Sequence, residues 1–163
     1  MILKETIKYE RERLYEKMEV KKRIRQLVTH QRFAVIATET KKQPYTNLVA
    51  FATTPDLRSI LFATKRGTQK YLNIHENNRI SVLIDNRENT PADLSNAMTV
   101  TALGVAHEVE DENEDYLTFL LQKHPDLSSF LRNPDCAIIK IQVKTYQLIH
   151  KFEQVQILHI RDV

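Results

Sequence analysis

Along residues 4 to 30, KETIKYERERLYEKMEVKKRIRQLVTH, apolar side chains at Leu14, Met18, Ile24, Leu27 and Val28 fall at spacings near three and four, with no Gly or Pro between them. That period predicts an amphipathic helix with a heavily charged outer face. From residue 32 the pattern changes. RFAVIATET (32–40) is a short apolar run rich in branched residues, and KKQP (41–44) breaks it. YTNLVAFATT (45–54), the turn PDLRS (55–59) and ILFAT (60–64) predict two further strands joined by a tight connection. Three strands in such close succession predict an antiparallel meander.

A helix is predicted from about Thr68 to Asn77, followed by a strand, RISVLID (79–85), and a polar, Pro-containing loop, NRENTPADLSN (86–96). AMTVTALGVAHEV (97–109) alternates as a long strand with one face buried. DENEDYLTFLLQKH (111–124) opens with acids and ends with Lys and His, the order a helix dipole favours, and PDLSSFLRNP (125–134) reads as a shorter helical piece. CAIIKIQVKTYQLI (136–149) and QVQILHI (154–160) close the chain as strands. A parallel sheet needs helices between nearly all consecutive strands, and this chain lacks them. The expected fold is therefore mainly β (α+β): six or seven antiparallel strands in a closed or nearly closed barrel, with a long N-terminal helix and two or three peripheral helices. No repeat or low-complexity linker interrupts it. The organisation expected is a charged helix over residues 1–30 and a barrel domain over 31–163.

Composition narrows the function. The chain has 163 residues, 42% hydrophobic and 28% charged, with a formal charge of +3, as expected of an ordinary globular chain and too mildly basic to demand nucleic acid. Lys21, Lys22, Arg23 and Arg25 form a basic cluster, but Glu10, Glu12, Glu16 and Glu19 precede it closely, so a mixed solvated helix face is expected. No apolar run reaches the length of a membrane span, and Lys4, Glu5 and Tyr9 stand where a signal-peptide core would lie; a cytoplasmic protein without membrane contact is expected. Cys136 is the only cysteine, which excludes an internal disulfide and a paired-Cys metal site and predicts an inert thiol. The six histidines show no H-x-H or H-E-x-x-H spacing, so no metal site is expected. Gly67 and Gly104 are the only glycines, and neither G-x-G-x-x-G, G-x-x-x-x-G-K-[ST] nor G-x-S-x-G occurs. The acids Asp111, Glu112, Glu114 and Asp115 sit at a helix start, where the dipole accounts for them.

One segment carries candidate chemistry. In ATKRGTQKYLNIHENNRISVLID (63–85), Thr64 ends a strand, Lys65, Arg66 and Gly67 make the bend, Thr68 stands at a helix N-cap and Lys70 lies in the first turn. Free N–H groups and the positive end of the dipole favour a phosphate there, and hydroxyl and ammonium groups add charge-assisted hydrogen bonds. The same residues also make a plain Thr-capped helix with solvated cations that needs no ligand, and the local pattern fits both. Tyr45 and Tyr71 could flank a planar ligand and His75 could approach a cleft, but packing is the default role for the two tyrosines and a solvated or capping role for His75.

In order, QPYTNLVAF (43–51), ILFATKRGTQKYLNIHENNRISVLI (60–84), MTVTALGVAHEV (98–109), the acidic helix, KHPDLSSFL (123–131) and a closing strand resemble the pyridoxamine 5'-phosphate oxidase-like, FMN-binding split-barrel family over roughly residues 30 to 150. That resemblance implies FMN held at the interface of a homodimer, in a family of oxidases, flavin reductases, haem-degrading relatives and deazaflavin-dependent enzymes. It assigns Thr64, Thr68, Gln69 and Lys70 to the FMN phosphate. Relatives often carry Ser-Arg-Lys where this chain has Thr-Gln-Lys, and Arg66 is the candidate to replace the missing cation. Asn47, Leu48 and Val49 match the strand along the flavin ring edge, with Asn47 where pyridoxamine phosphate oxidases have Arg, and Thr99 matches a polar cofactor-holding position. The C-terminal HKFEQVQILHIRDV (150–163) lacks the Arg and His segment that binds substrate phosphate in those oxidases. The function implied is an FMN-dependent oxidoreductase related to, but distinct from, that enzyme, with NADH or NADPH as electron donor. The flavin carries the redox chemistry, and no catalytic side chain is assigned. The alternative is a non-catalytic flavin- or haem-binding protein, a sensor, carrier or haem-degradation relative, with His150 and His159 as candidate haem ligands.

Overall fold

The β1 (Phe33–Thr40) and β2 (Gln43–Thr53) strands are joined by Lys41 and Lys42 alone, with φ of 50° and 67°. Two left-handed residues give the turn twist that matches paired strands, so the break is two residues long, and Pro44 is taken into β2 opposite Glu39. The structure is a computed structural model describing residues 2–110 and 114–162. Asp111 and Glu112 lie outside the described residues.

The remaining elements are α1 (Ile2–His30), β3 (Ser59–Lys65), α2 (Gln69–Glu76), β4 (Arg79–Asp85), α3 (Asp93–Asn96), β5 (Met98–Glu108), α4 (Glu114–Lys123), α5 (Ser128–Leu131), β6 (Cys136–His150) and β7 (Gln154–His159). The loop expected over 86–96 thus contains one helical turn, α3. Every strand pairing is antiparallel, in the order β3-β2-β1-β4-β5-β6-β7, and β3 pairs with β6 to close a six-stranded barrel. The length of β6 makes this possible: its first half, Cys136 to Gln142, pairs with β3, and its second half, Thr145 to His150, pairs with β7. Between these halves the β5 pairing shifts register at Leu103/Gly104. A Cβ at Gly104 would stand 2.5 Å from the Gln142 carbonyl oxygen, so only glycine lets the strands approach there.

Alternation fills the barrel. Ile36, Phe51, Phe62, Val82, Ile139 and Tyr146 are fully buried inside it, and the Tyr146 hydroxyl donates to the Leu57 carbonyl at 2.8 Å. Val20, Ile24, Leu27 and Val28 of α1 join this core. Leu14 and Met18, expected on the same stripe, are 60% and 59% exposed. At 100° per residue they point about 80–120° away from Ile24, and no described residue covers them. A smaller apolar cluster, Ala52, Leu61 and Leu120, lies beneath α4. The end of α4 is fastened by Lys123, whose ammonium donates to the Val28 carbonyl at 2.6 Å and lies 3.9 Å from the centre of the Phe51 ring. Burial, with a smaller push from Arg32, brings the Lys123 pKa down to about 8.

β2 pairs with β3 only from Phe51 to Thr53, so their other ends diverge. α2 follows the diverging end of β3 and is tied back to β1 by Asn73, whose Nδ2 donates to the buried Thr38 hydroxyl at 3.0 Å.

Candidate functional site at the start of α2

Thr64, only 2% exposed, points inward from the end of β3, and its hydroxyl lies 2.9 Å from that of Thr68. Thr68 Oγ1 also donates to the Lys65 carbonyl at 2.9 Å. Thr68 therefore occupies the N-cap position with extended backbone (φ −82°, ψ 150°) but makes no side-chain cap bond to the helix. The first helical bond runs from the Leu72 N–H to the Thr68 carbonyl, which leaves the preceding N–H groups of the first turn without intrahelical acceptors. Lys70 stands beside them, half-buried, with no ion pair among the described residues, and burial lowers its pKa. Orphan N–H donors, two hydroxyls and a partly desolvated cation together form a cradle for an anion.

Gln69 and Arg66 are otherwise engaged. Gln69 Nε2 donates to Asn73 Oδ1 at 2.7 Å, extending the Asn73–Thr38 connection. Arg66 turns to Glu108 at the end of β5: Nε and Nη2 both donate to Glu108 Oε1, the first at 3.0 Å, while Nη1 donates to the Pro134 carbonyl at 2.8 Å. Tyr71 Oη donates to the other Glu108 oxygen, and His75 Nε2 lies 3.7 Å from it with its ring 4.4 Å from that of Tyr71. Burial alone would raise the Glu108 pKa, but the hydrogen bonds from Tyr71 and Arg66 outweigh it and hold the carboxyl below its ordinary value. Tyr71 and His75 are thereby placed in this cluster, while Tyr45 is exposed at the start of β2. Cys136 pairs opposite Lys65 at the foot of β6, and burial raises its thiol pKa.

The β2 residues divide between the two faces of the sheet. Val49 is a core residue, Leu48 is 69% exposed on the outer face, and Asn47 is half-buried with its Oδ1 buried and without a hydrogen-bond partner. The register Leu48–Val35–Leu83–Thr101 carries the outer face across to β5, so Thr99 stands three strand spacings, about 14 Å, from Leu48 and two residues further along. The fold brings Thr64, Thr68 and Lys70 together and sets Thr99 apart from them. His150 lies 3.5 Å from Arg23, and His159 lies 3.4 Å from the Thr145 hydroxyl, so the two histidines do not face a common point. Among the described residues no group of three or more His, Cys, Asp or Glu is placed to hold a metal. The residue that sequence reasoning missed is Glu108. It is 42 positions from Arg66, and its only local mark is that it is an acid at the end of an alternating strand.

This arrangement accompanies a match of residues 20–150 to the family model described as Pyridoxamine 5'-phosphate oxidase. The chain belongs to the pyridoxamine 5'-phosphate oxidase family. No curated protein matches the sequence. Among solved structures, this family member is similar to a haem-binding protein from Mycobacterium smegmatis, with a TM-score of 0.74 and 14% identity over 83% of this chain and 55% of that one. ChuZ from Campylobacter jejuni gives a TM-score of 0.75 with 13% identity, over 87% of this chain and 60% of that one. General Stress Protein 26 from Bacillus anthracis str. Sterne gives 0.67 with 21% identity, over 86% and 98%. At these identities the likeness is one of fold, and this chain spans little more than half the length of the M. smegmatis protein. No helix among the described residues is long and apolar enough to cross a membrane.

Proposed function

We propose that this member of the pyridoxamine 5'-phosphate oxidase family binds FMN and serves as an FMN-dependent oxidoreductase, distinct from pyridoxamine 5'-phosphate oxidase itself, in a cytoplasmic homodimer. The observation that carries the reading is the α2 cradle, where Lys70 and the first-turn N–H groups lack acceptors. A phosphate there completes the hydrogen bonding of a helix end that the protein leaves uncapped. Asn47 supports the same fit, because a buried carbonyl oxygen without a donor costs about 1–3 kcal/mol, and a ligand N–H meeting it would remove that cost. Thr64 and Thr68 would add hydroxyl donors to the phosphate, Lys70 its countercharge, and Leu48 and Val49 the backbone alongside the ring.

Bound FMN would supply hydride and electron transfer, with NADH or NADPH as the donor class. The residues described here bind, orient and exclude water; none is placed as a nucleophile. Exposed apolar side chains on the barrel exterior, Leu48 on β2 and, separately, Val155 and Ile157 on β7, support a second copy as a cover for part of that exterior. The alternative, a non-catalytic haem- or flavin-binding protein, is supported by the fold it shares with the M. smegmatis haem-binding protein.

The visible absorption spectrum of the purified protein, recorded alone and after loading with FMN or haem and removal of excess, tests the proposal. Flavin retained at about one per subunit and bleached by NADH or NADPH is the expected result. A Soret band without flavin retention favours haem. Retained flavin that both nicotinamides leave oxidised favours a non-catalytic carrier, and light scattering that gives a flavin-loaded monomer overturns the interface site.

A further inference from the structure

A second polar cavity, of about 460 Å³, opens on the outside of the barrel away from the α2 cradle. Its floor is the outer face of β3, β6 and β5, where the registers Ser59↔Gln142, Leu61↔Lys140 and His107↔Lys140 put Ser59, Gln142, Lys140 and His107 on one side of the sheet. The turn before β3 supplies Arg58 as one wall, and α4 supplies Tyr116 as another. Ser59 opens β3 and Thr64 lies five residues on, about 17 Å along the strand and on the opposite face. The two sites are separate.

Two features point to a ligand. Ser59 is only 5% exposed, and its backbone N–H and carbonyl are both engaged with Thr54, yet no hydrogen bond among the described residues reaches its hydroxyl. That hydroxyl lines the cavity without a partner among the described residues. Lys140 is the second feature. Its ammonium donates to the Tyr116 hydroxyl at 2.7 Å and lies 4.9 Å from the centre of that ring, but no carboxylate within ion-pair distance is described for it. The Tyr116 contact fixes the position of the cation without neutralising it. Arg58 adds a second positive group, held 3.8 Å from its neighbour Asp56, so the cavity walls carry more positive than negative charge. The volume falls within the range of small-molecule sites.

We propose that this cavity binds a small molecule through a phosphate or carboxylate group, with the Lys140 ammonium and the Ser59 hydroxyl as its contacts to oxygen. Such an oxyanion supplies the acceptor that Ser59 lacks and the countercharge that Lys140 lacks, both at fixed positions on a rigid sheet. Gln142 and His107 border the same space and set what the rest of the ligand meets.

Titration of the isotope-labelled full chain with inorganic phosphate, and separately with citrate, followed by amide chemical shifts, tests this. Saturable shifts are expected at Ser59 and Gln142, distinct from any at Gln69 and Lys70. Lys140→Gln is expected to abolish the first set and leave the second, and Ser59→Ala to weaken the first set about tenfold. Shifts confined to Gln69 and Lys70, or binding at Ser59 and Gln142 unchanged in Lys140→Gln, overturn the proposal. Should Lys140→Gln lose its folded spectrum, Ser59→Ala decides alone: an unchanged dissociation constant at this cavity overturns it.

Discussion

Arg66 and Lys70 are cations four residues apart in one bend, yet their surroundings differ. Arg66 gives three of its N–H groups to Glu108 and Pro134, joining β3, β5 and the approach to β6. Lys70 is half-buried beside N–H groups that have no acceptor, and no carboxylate pairs with it among the described residues. One half of the bend is a finished structural cluster, and the other has donors left over. A charge shows its role by what remains unsatisfied around it. The comparison teaches that two cations in one phosphate-like segment can differ in what surrounds them, Arg66 being fully paired and Lys70 not.

The largest effect that sharpens this contrast is expected at Lys70. Lys70→Ala removes the countercharge of the proposed phosphate and is predicted to weaken FMN binding roughly ten- to a hundredfold, since charge-assisted hydrogen bonds are worth about 1.5–3 kcal/mol. Thermal stability of the ligand-free protein should stay level or rise slightly, because the lost group is a desolvated cation. Flavin fluorescence titration and a melting curve read both quantities. Unchanged FMN affinity would sink the cradle as the phosphate site.

Glu108 should show the reverse pattern. Glu108→Gln keeps the shape of the side chain but removes the charge that Arg66 and Tyr71 share, and a loss of about 1 kcal/mol in unfolding free energy is expected, with FMN affinity little changed. Because the folded-state pKa of Glu108 is depressed, its contribution is present above the ordinary value of 4.5 and disappears as pH falls through the lower folded-state value. The variant should therefore lose less stability than the parent as pH falls from 4.5 through that lower value. Urea unfolding at several pH values measures it, and parallel pH curves for the two proteins would remove Glu108 from the account.

The difference between these two neighbours also marks how far the sequence could be read. Strand alternation showed β5 and β6 and most of the barrel, because a side chain facing the core must be apolar every second residue. It could not show that β6 serves β3 with its first half and β7 with its second, since both halves alternate alike. The front of α1 misled for a related reason: Leu14 and Met18 look like core residues by spacing, but spacing says nothing about where the barrel wall ends. The grouping of Thr64, Thr68 and Lys70 was legible because they are near in sequence and occupy a strand end and a helix start. Glu108 was not, because its pairing with Arg66 exists only after β3 and β5 both join β6. The Gln69–Asn73 hydrogen bond was not legible either, because it exists only once α2 brings the two side chains one turn apart.

A smaller effect is expected at Thr68. Its hydroxyl faces Thr64 and the Lys65 carbonyl rather than the helix, so Thr68→Ala should cost less than the ~1 kcal/mol usual for a lost N-cap. FMN binding should nonetheless weaken about fivefold, as for one neutral hydrogen bond. A full cap penalty in the melting curve with no change in affinity would make Thr68 structural and move it to the Arg66 side of the comparison.

The smallest effect on the cofactor should come from Arg66 itself, which makes it the sharpest check. If Glu108 holds the guanidinium in the complex as it does here, Arg66→Gln changes FMN affinity by less than about twofold while lowering stability about as much as Glu108→Gln. Combining the two substitutions should then cost little more than either alone, because each removes the same pair, and the shortfall from additivity measures their coupling. A different result has a definite meaning. Were Arg66→Gln to weaken FMN as strongly as Lys70→Ala, with stabilities that simply add, Arg66 would leave Glu108 on cofactor binding and supply the cation that Gln69 does not.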